Sequence, residues 1–173
     1  PNCPKNVVVT SNIISNAGSY GIFSVNSREG EDPSNITISN NTIQNCKLEG
    51  IRVINGLDMT ISGNTVTDCG IGIRDQSVNS VVASNVATNN DTGFVVKSGG
   101  PSVIDSNISL NNTLNWNIAQ ITAGKQMTNN TGFFGASIEE YAARTFSQKV
   151  TIAANSSNQI IALNFRNDFR FTI

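Results

Sequence analysis

The chain has 173 residues and a formal net charge of −1, so its charge balance does not indicate a nucleic acid or an anionic membrane as its partner. Charged residues make up 13% of the sequence, about half of the share usual in globular domains, and asparagine fills 26 positions instead. Histidine is absent, which excludes Ser-His-Asp and Cys-His nucleophile systems, and no apolar run is long enough to predict a membrane span.

One motif recurs along the chain, and its clearest copy is the segment 35–45. Five copies align on an anchor asparagine at intervals of 29, 23, 21 and 22 residues. A β-branched aliphatic residue lies three positions before each anchor, and a second polar residue lies four positions after it. Three columns that recur at a period of about 22 residues indicate a repeat architecture. The anchors are Asn12, Asn41, Asn64, Asn85 and Asn107; the aliphatic column is Val9, Ile38, Ile61, Val82 and Ile104; the polar column is Asn16, Asn45, Asp68, Asn89 and Asn111.

Each period contains three short β-rich runs that end in asparagine or glycine, as in the runs 7–10, 13–14 and 21–25 of the first period. Three strands and three turns in one period predict a coil of a solenoid and exclude a hairpin. The first period is longer because it includes the charged run 27–34. We interpret this run as a solvated loop, with a ligand-contacting loop as the alternative.

The third strand of the third period has two registers open to it. One register matches Gly72 to Gly50 and turns Asp75 inward, whereas the other, shifted by two residues, buries Ile71 and Ile73. Because an unpaired internal carboxylate is costly, burial energetics favour the second register. Across the coils, the inward residues of the third strands form an apolar stack that grows bulkier toward the C-terminal end: Ile22, Ile51, Ile73 or Ile71, Phe94 and Trp116.

The three cysteines are Cys3, Cys46 and Cys69, and their spacing does not indicate a zinc site. Cys46 and Cys69 both lie five residues after an anchor, so we expect them to stack on adjacent coils about 4.8 Å apart. We interpret this pair as buried, reduced thiols, with a disulfide as the alternative.

The repeat weakens after residue 118. The run 128–133 echoes the run 88–94 and indicates a sixth, weaker coil. A Ser-x-x-Glu capping box at Ser137 predicts a short helix over 137–144, and strand-like runs follow it. We therefore divide the chain into a β-helix at 1–135, a short helix and linker at 136–148, and the start of a C-terminal β-rich region for capping or oligomerisation at 149–173. The strand-like end suggests a piece of a longer protein.

These columns, over about residues 5–118, resemble the right-handed parallel β-helix of the pectate-lyase-like superfamily. The resemblance implies an all-β fold with coils of about 22 residues, followed here by a short helix and a C-terminal β segment. This solenoid carries lyases, hydrolases, epimerases and adhesive spikes, so the fold by itself does not choose among them. The chain is most similar to the tail-spike and pre-neck appendage proteins of short-tailed phages, because asparagine-rich coils are followed by a new β region.

The resemblance also directs attention to particular acidic and basic residues. Polysaccharide lyases of this fold use acidic residues that hold calcium, together with an arginine or lysine base on one outer face. A hydrolase would instead need two carboxylates about 5 to 9.5 Å apart, which Asp75 with Asp58 or Asp68 would supply. We expect no metal and no cofactor, with Ca²⁺ as the alternative. The catalytic candidates are Asp75, Arg74 and Asp68, and the ligand-binding candidates are Arg52, Asp58 and Trp116.

Most of these candidates have a structural interpretation as well. Asp68 lies in a column that is otherwise asparagine, and Asp58 lies at a strand entry, so both are typical of turns. Trp116 aligns with the apolar stack, which favours core packing over sugar stacking. Arg52 and Arg74 stack one coil apart only in the register that burial energetics disfavour, so an anion or uronate subsite depends on that register.

Three functions follow as hypotheses. The first is a phage tail-spike or appendage segment, homotrimeric and located in the virion, that binds cell-surface polysaccharide or teichoic acid, with or without cleaving it. The second is a free-standing extracellular polysaccharide lyase, hydrolase or epimerase. The third is a non-catalytic cell-surface adhesin. Enzymatic activity is left open between a lyase, a glycoside hydrolase and pure binding, and neither nucleic acid binding nor membrane insertion is expected.

Overall fold

A computed structural model describes residues 4–25, 33–97, 100–118, 125–132 and 137–138. All regular structure within these residues is β-strand. None of the described residues belongs to a helix long and apolar enough to cross a membrane. In chain order the strands are β1 (Val8–Thr10), β2 (Ile13–Ser15), β3 (Tyr20–Val25), β4 (Thr37–Ser39), β5 (Thr42–Gln44), β6 (Glu49–Leu57), β7 (Thr60–Ser62), β8 (Thr65–Thr67), β9 (Ile71–Val78), β10 (Ser80–Ala83), β11 (Val86–Thr88), β12 (Thr92–Val96), β13 (Ser102–Asp105), β14 (Ile108–Leu110), β15 (Leu114–Ile118), β16 (Lys125–Thr128) and β17 (Ser137–Ile138).

The strands form three parallel sheets, and neighbours within a sheet come from successive coils. The first sheet has the order β1-β4-β7-β10-β13-β16, the second β2-β5-β8-β11-β14, and the third β3-β6-β9-β12-β15-β17. Each of the first five coils therefore contributes one strand to each sheet and pairs with its neighbouring coils, while β16 and β17 of a sixth coil join the first and third sheets. The predicted parallel β-solenoid, with three short strands in each coil, is confirmed.

Left-handed backbone conformations at the corners explain why asparagine is so frequent. The polar residue that follows each strand of the second sheet has a φ between 55° and 59°. Asparagine and aspartate adopt this conformation more readily than other residues with a side chain, because their short polar groups bond to the local backbone. The residues are Asn16, Asn45, Asp68, Asn89 and Asn111.

The anchor asparagines form a hydrogen-bonded ladder along the corner between the first and second sheets. The Oδ1 of Asn85 accepts from the backbone N–H of Asn64 at 3.0 Å and from its Nδ2 at 2.9 Å. Nδ2 of Asn64 also donates to the carbonyl oxygen of Ile38 at 2.9 Å. Because each amide satisfies groups of two neighbouring coils, these side chains are buried without leaving polar atoms unpaired. The buried rungs are Asn41, Asn64, Asn85, Asn107 and Asn130.

The interior between the sheets is filled by aliphatic columns, one from each sheet. The residue three positions before each anchor points inward, and Ile38, Ile61 and Ile104 are fully buried. In the third sheet, the apolar stack ends in Phe94 and Trp116, whose rings are stacked with centroids 4.4 Å apart. The predicted inward column that grows bulkier toward the C-terminal end is therefore confirmed.

The register expected for the third coil is wrong. Strand β9 pairs with β6 so that Ile73 lies opposite Ile51 and Asp75 lies opposite Val53. Asp75 consequently faces the interior and is fully buried. The buried carboxylate is tolerated because it is not unpaired: it accepts hydrogen bonds from the backbone N–H of Ser77 at 3.1 Å, from the Ser77 hydroxyl and from the Ser80 hydroxyl at 2.6 Å.

A sixth coil is present, but its register differs from the sequence echo. Asn130 lies next to Asn107 in the anchor ladder, at the first corner of the coil, and not in the column of Asn90.

The side chain of Thr128 donates to Asp105 of the fifth coil. This bond and a second one from the Ser106 hydroxyl hold the pKa of the Asp105 carboxyl below its ordinary value.

The predicted helix does not begin at Ser137. Ser137 and Ile138 form β17, which pairs in parallel with Asn117 and Ile118 of β15. Strand β15 has a free edge, and Ser137 and Ile138 pair with its backbone. The capping box describes only local preferences and does not include this contact. Residues 139–144, the predicted C-terminal β region and most of the charged run 27–34 lie outside the described residues. The division into three domains stays a prediction.

Candidate functional site

The outer face of the third sheet carries a compact group of aromatic and charged side chains on its first three coils. Side chains alternate between the two faces of a strand, so the inward Ile51 and Ile73 leave their neighbours Arg52 and Arg74 pointing outward. We call the group formed by Tyr20, Phe23, Glu49, Arg52 and Arg74 the arginine–aromatic cluster. Strand register brings it together, because Phe23 lies opposite Arg52, Arg52 opposite Arg74, and Tyr20 opposite Glu49.

Glu49 holds both guanidinium groups of the cluster. Its carboxylate accepts from Nε of Arg74 at 3.0 and 3.1 Å, and from Nη1 of Arg52 at 3.2 Å. Like charges directly opposite on adjacent strands repel, and a shared carboxylate offsets part of that repulsion. The Glu49 side chain is 6% exposed, against 27% for Arg52 and 18% for Arg74. The carboxylate is therefore almost covered, while the two cations still reach solvent.

Two aromatic rings flank the first of these cations. The rings of Tyr20 and Phe23 are stacked with centroids 4.6 Å apart. Cζ of Arg52 lies 5.2 Å from the Tyr20 centroid and 5.7 Å from the Phe23 centroid, within the range of cation–π attraction. Nη1 of Arg52 also donates to the Tyr20 hydroxyl at 3.1 Å. Phe23 remains 48% exposed, so it presents an apolar ring to solvent beside a positive charge.

The hydrogen-bonding capacity of the two arginines is only partly used. A guanidinium has five N–H donors. Among the described residues, Arg74 donates only through Nε, and Arg52 only through Nη1. Nε of Arg52 is buried without a partner in this part of the chain. The cluster therefore presents unused donors at a surface that an acceptor-bearing ligand can approach.

Of the residues proposed from the sequence, the structure brings Arg52 and Arg74 together. Asp75 follows Arg74 in the chain but points into the core, so these two side chains lie on opposite faces of the sheet. Trp116 is fully buried, and its Nε1 donates to the carbonyl oxygen of Thr131 at 2.8 Å. An inner position separates both side chains from any polysaccharide that lies along the outer surface.

Asp58 and Asp68 lie at two different corners of the third coil. Both are exposed and have left-handed backbone conformations, with φ of 53° for Asp58 and 56° for Asp68. Asp58 accepts from the Asn79 side chain at 3.3 Å, and Asp68 accepts from the Thr67 hydroxyl at 3.1 Å. Within the described ranges, no group of three or more Cys, Asp or Glu residues is arranged to hold a metal ion.

Sequence reasoning missed three members of the cluster: Tyr20, Phe23 and Glu49. A signal for two of them was present, since Tyr20 and Glu49 directly precede Gly21 and Gly50, which occupy the same position in their coils. At these glycines a Cβ atom would come within 2.8 Å of a backbone carbonyl oxygen of the next coil. Only glycine fits at this corner, and the residue just before it, Tyr20 or Glu49, is the first residue of the third strand and points outward.

The sequence model of the family described as "right handed beta helix region" matches residues 2–165. A search of curated proteins and a search of solved structures each found no match to this chain. The family match covers all of the predicted coils and identifies the solenoid as right-handed. A fold of this kind fits a protein that binds or acts on polysaccharide.

Proposed function

Because the chain belongs to the right-handed β-helix family, we propose that it binds cell-surface polysaccharide through the arginine–aromatic cluster, as a segment of a phage tail spike or appendage of the pectate-lyase-like type. The observation that carries this proposal is the exposed Phe23 ring beside Arg52 and Arg74. An apolar ring packs against the C–H face of a sugar, and guanidinium groups donate to its oxygens.

The position of the cluster suits a polymeric ligand. Its members lie on neighbouring coils at a spacing of about 4.8 Å per strand, so the cluster extends along the axis of the solenoid. A polysaccharide that lies along this axis meets Phe23, Arg52 and Arg74 in turn. The ligand that we propose is cell-surface polysaccharide or teichoic acid, bound outside the cell by a homotrimeric spike in the virion.

Binding is favoured over cleavage by the arrangement of the carboxylates. A hydrolase needs two accessible carboxyl groups at a defined separation. Asp75 is inside the coil, and Glu49 is covered and bonded to both arginines. A free-standing lyase, hydrolase or epimerase is therefore the second candidate. A third candidate, a non-catalytic adhesin, would use the same binding site as the spike but would be located on a cell surface and not in the virion.

The test is binding of the chain to a panel of bacterial capsules, wall teichoic acids and plant pectins, with the variant Phe23→Ala. Its matched control is Val81→Ala, because Val81 is an exposed apolar residue on the outer face of the first sheet. We expect the wild type and the control to bind at least one polymer, and Phe23→Ala to bind about tenfold more weakly. Equal binding by both variants, or no binding to any polymer, would overturn the proposal.

Two further measurements address the assembly and the chemistry. Light scattering of the full-length protein should give three chains per particle for the spike. Release of oligosaccharides from a bound polymer would shift the proposal from binding to cleavage, with Arg74→Ala as the variant that should abolish it.

A further inference from the structure

We infer that the polymer bound by the arginine–aromatic cluster carries a negative charge, a carboxylate or a phosphate, on the unit that contacts Arg74. This inference rests on the proposed polysaccharide-binding function and names the class of ligand for the same site. It follows from the charge of the cluster, from the donors that remain unused and from the uncharged neighbours of the two arginines.

The cluster has more positive than negative charge. Glu49 is the carboxylate within ion-pair distance of either guanidinium among the described residues, and it serves both. Within the part of the chain that the structure describes, Glu49 therefore balances one of the two positive charges. The second charge lies at a half-buried surface, where the effective dielectric constant is lower than in bulk water. An anionic group of a ligand would balance it.

The fold itself does not require the second arginine. The outward column of the third sheet runs Phe23, Arg52, Arg74, Val95 and Asn117, so uncharged residues occupy the equivalent positions on either side of the pair. One arginine would be sufficient to neutralise Glu49. Placing two like charges opposite each other on adjacent strands costs stability, so a ligand gives a reason for the pair that packing does not.

The geometry also selects a planar or tetrahedral oxyanion over a neutral hydroxyl. Glu49 fixes Arg74 through its Nε, and neither Nη group of Arg74 donates a hydrogen bond to another described residue. A pair of parallel N–H donors matches the two oxygens of a carboxylate or phosphate, and such bonds are about twice as strong as neutral ones. In this arrangement Glu49 is a positioning residue.

The same cluster sets a minimum length for the ligand. Phe23 and Arg74 lie two strands apart, about 9.6 Å at the usual strand spacing. A single sugar ring does not span that distance. Because the strands that carry the two residues are this far apart, we expect the ring that stacks on Phe23 and the charged group on Arg74 to belong to neighbouring units of one polymer.

The experiment compares three polymers: a polyuronate, a wall teichoic acid whose charge comes from phosphate, and an uncharged dextran. The uronate is also tested after chemical reduction of its carboxylates to alcohols. The variant is Arg74→Gln, which keeps most of the side chain and removes the charge. Its control is Lys5→Gln, which removes the same charge from an exposed residue outside the cluster.

We expect the wild type and Lys5→Gln to bind the polyuronate or the teichoic acid. Binding to the polyuronate would identify a carboxylate as the charged group of the ligand, and binding to the teichoic acid would identify a phosphate. Arg74→Gln should bind that polymer about tenfold more weakly, since a charge-assisted hydrogen bond is lost. Binding should also weaken as salt is raised. Thermal unfolding of both variants checks that each remains folded.

The inference would be overturned if the protein bound dextran or the reduced uronate as tightly as the charged polymer. It would also be overturned if Arg74→Gln and Lys5→Gln bound the charged polymer equally. If binding to the neutral polymer still depended on Phe23, the proposed function would stand while the charged ligand would not. If neither these polymers nor any capsule, teichoic acid or pectin of the wider panel were bound, both would fall.

Discussion

The backbone N–H of Cys46 donates a hydrogen bond to Sγ of Cys69 on the next coil, at 3.4 Å. In the following coils the same position is occupied by asparagine, so that Cys69 N–H donates to Oδ1 of Asn90 at 2.9 Å and Asn90 N–H to Oδ1 of Asn112 at 2.8 Å. The two cysteines therefore replace rungs of a second ladder, at the corner between the second and third sheets. Both are buried free thiols, as the sequence predicted.

Burial should make this pair unreactive. Desolvation raises the pKa of the Cys69 thiol from 9.0 to about 12. In a Cys3→Ser variant, which removes the cysteine outside the described residues, we expect no reaction of native protein with a disulfide reagent at pH 8 and two thiols per chain after unfolding. Because the folded thiol keeps its proton where the unfolded thiol has lost it, the free energy of unfolding should fall as pH rises from about 9 to about 12. Rapid labelling of the native protein would contradict this.

The ladder position should accept asparagine at Cys69 and reject an aliphatic residue. Cys69→Asn supplies an Oδ1 acceptor for the N–H of Cys46 and continues the column of Asn90, so we expect a change in unfolding free energy within about 1 kcal/mol. Cys69→Val leaves that buried N–H unpaired and should cost about 1 to 3 kcal/mol. Urea unfolding of the two variants measures the difference. A valine variant as stable as the asparagine variant would show that the ladder bond does not stabilise the fold.

The anchor ladder should be more sensitive to mutation. Asn85→Ala removes the acceptor for the backbone and side chain of Asn64 and the donor to the Ile61 carbonyl. Because each buried polar group left unpaired costs about 1 to 3 kcal/mol, we expect a loss of about 3 kcal/mol or more. The control Asn89→Gly lies at an exposed corner with a φ of 58°, where glycine fits, and should change stability by less than about 1 kcal/mol. Equal losses in urea unfolding would contradict the ladder.

Trp116 should report on the core and not on ligand binding. It is the single tryptophan of the chain, so its fluorescence should be blue-shifted in the native protein and unchanged by polysaccharide. Trp116→Ala removes the ring stacked on Phe94 and should cost about 3 to 5 kcal/mol. Trp116→Phe keeps a ring but loses the bond to the Thr131 carbonyl, and a smaller loss is expected. A ligand-dependent shift of the emission would place Trp116 in a binding site instead.

Asp75 should behave as a structural residue. Replacing it with alanine leaves the Ser77 N–H without its acceptor inside the coil and removes one of the two side-chain partners of the Ser80 hydroxyl, the other being Ser102. We expect a loss of about 2 to 4 kcal/mol in unfolding free energy. Below its lowered melting temperature, the variant should bind polysaccharide as the wild type does. Wild-type stability together with lost binding or cleavage would support the catalytic role considered from the sequence.

The register that the sequence favours does not place Arg74 opposite Arg52, so the wrong register separates the two arginines that the structure brings together. Strand β6 has a bulge between Ile54 and Leu57, so three residue steps there match two steps from Gln76 to Val78. The sequence favours the other register only if Asp75 is treated as unpaired, although Ser77 and Ser80 lie close to it in the chain. The two serines became partners only when the corner was formed.

The coil, its period, the two polar columns and the inward aliphatic stack could all be predicted from the sequence. These features depend on local preferences that repeat: asparagine takes left-handed corners, β-branched residues take strands, and equal spacing puts equal residues in register. Three features could not be predicted in this way: the face on which Asp75 lies, the strand formed by Ser137 and Ile138, and the contact of Glu49 with Arg52 and Arg74 beside Tyr20 and Phe23. Those outcomes depend on contacts between coils, where hydrogen-bond partners from separate repeats change the cost of burying a polar group, and no single repeat contains that information.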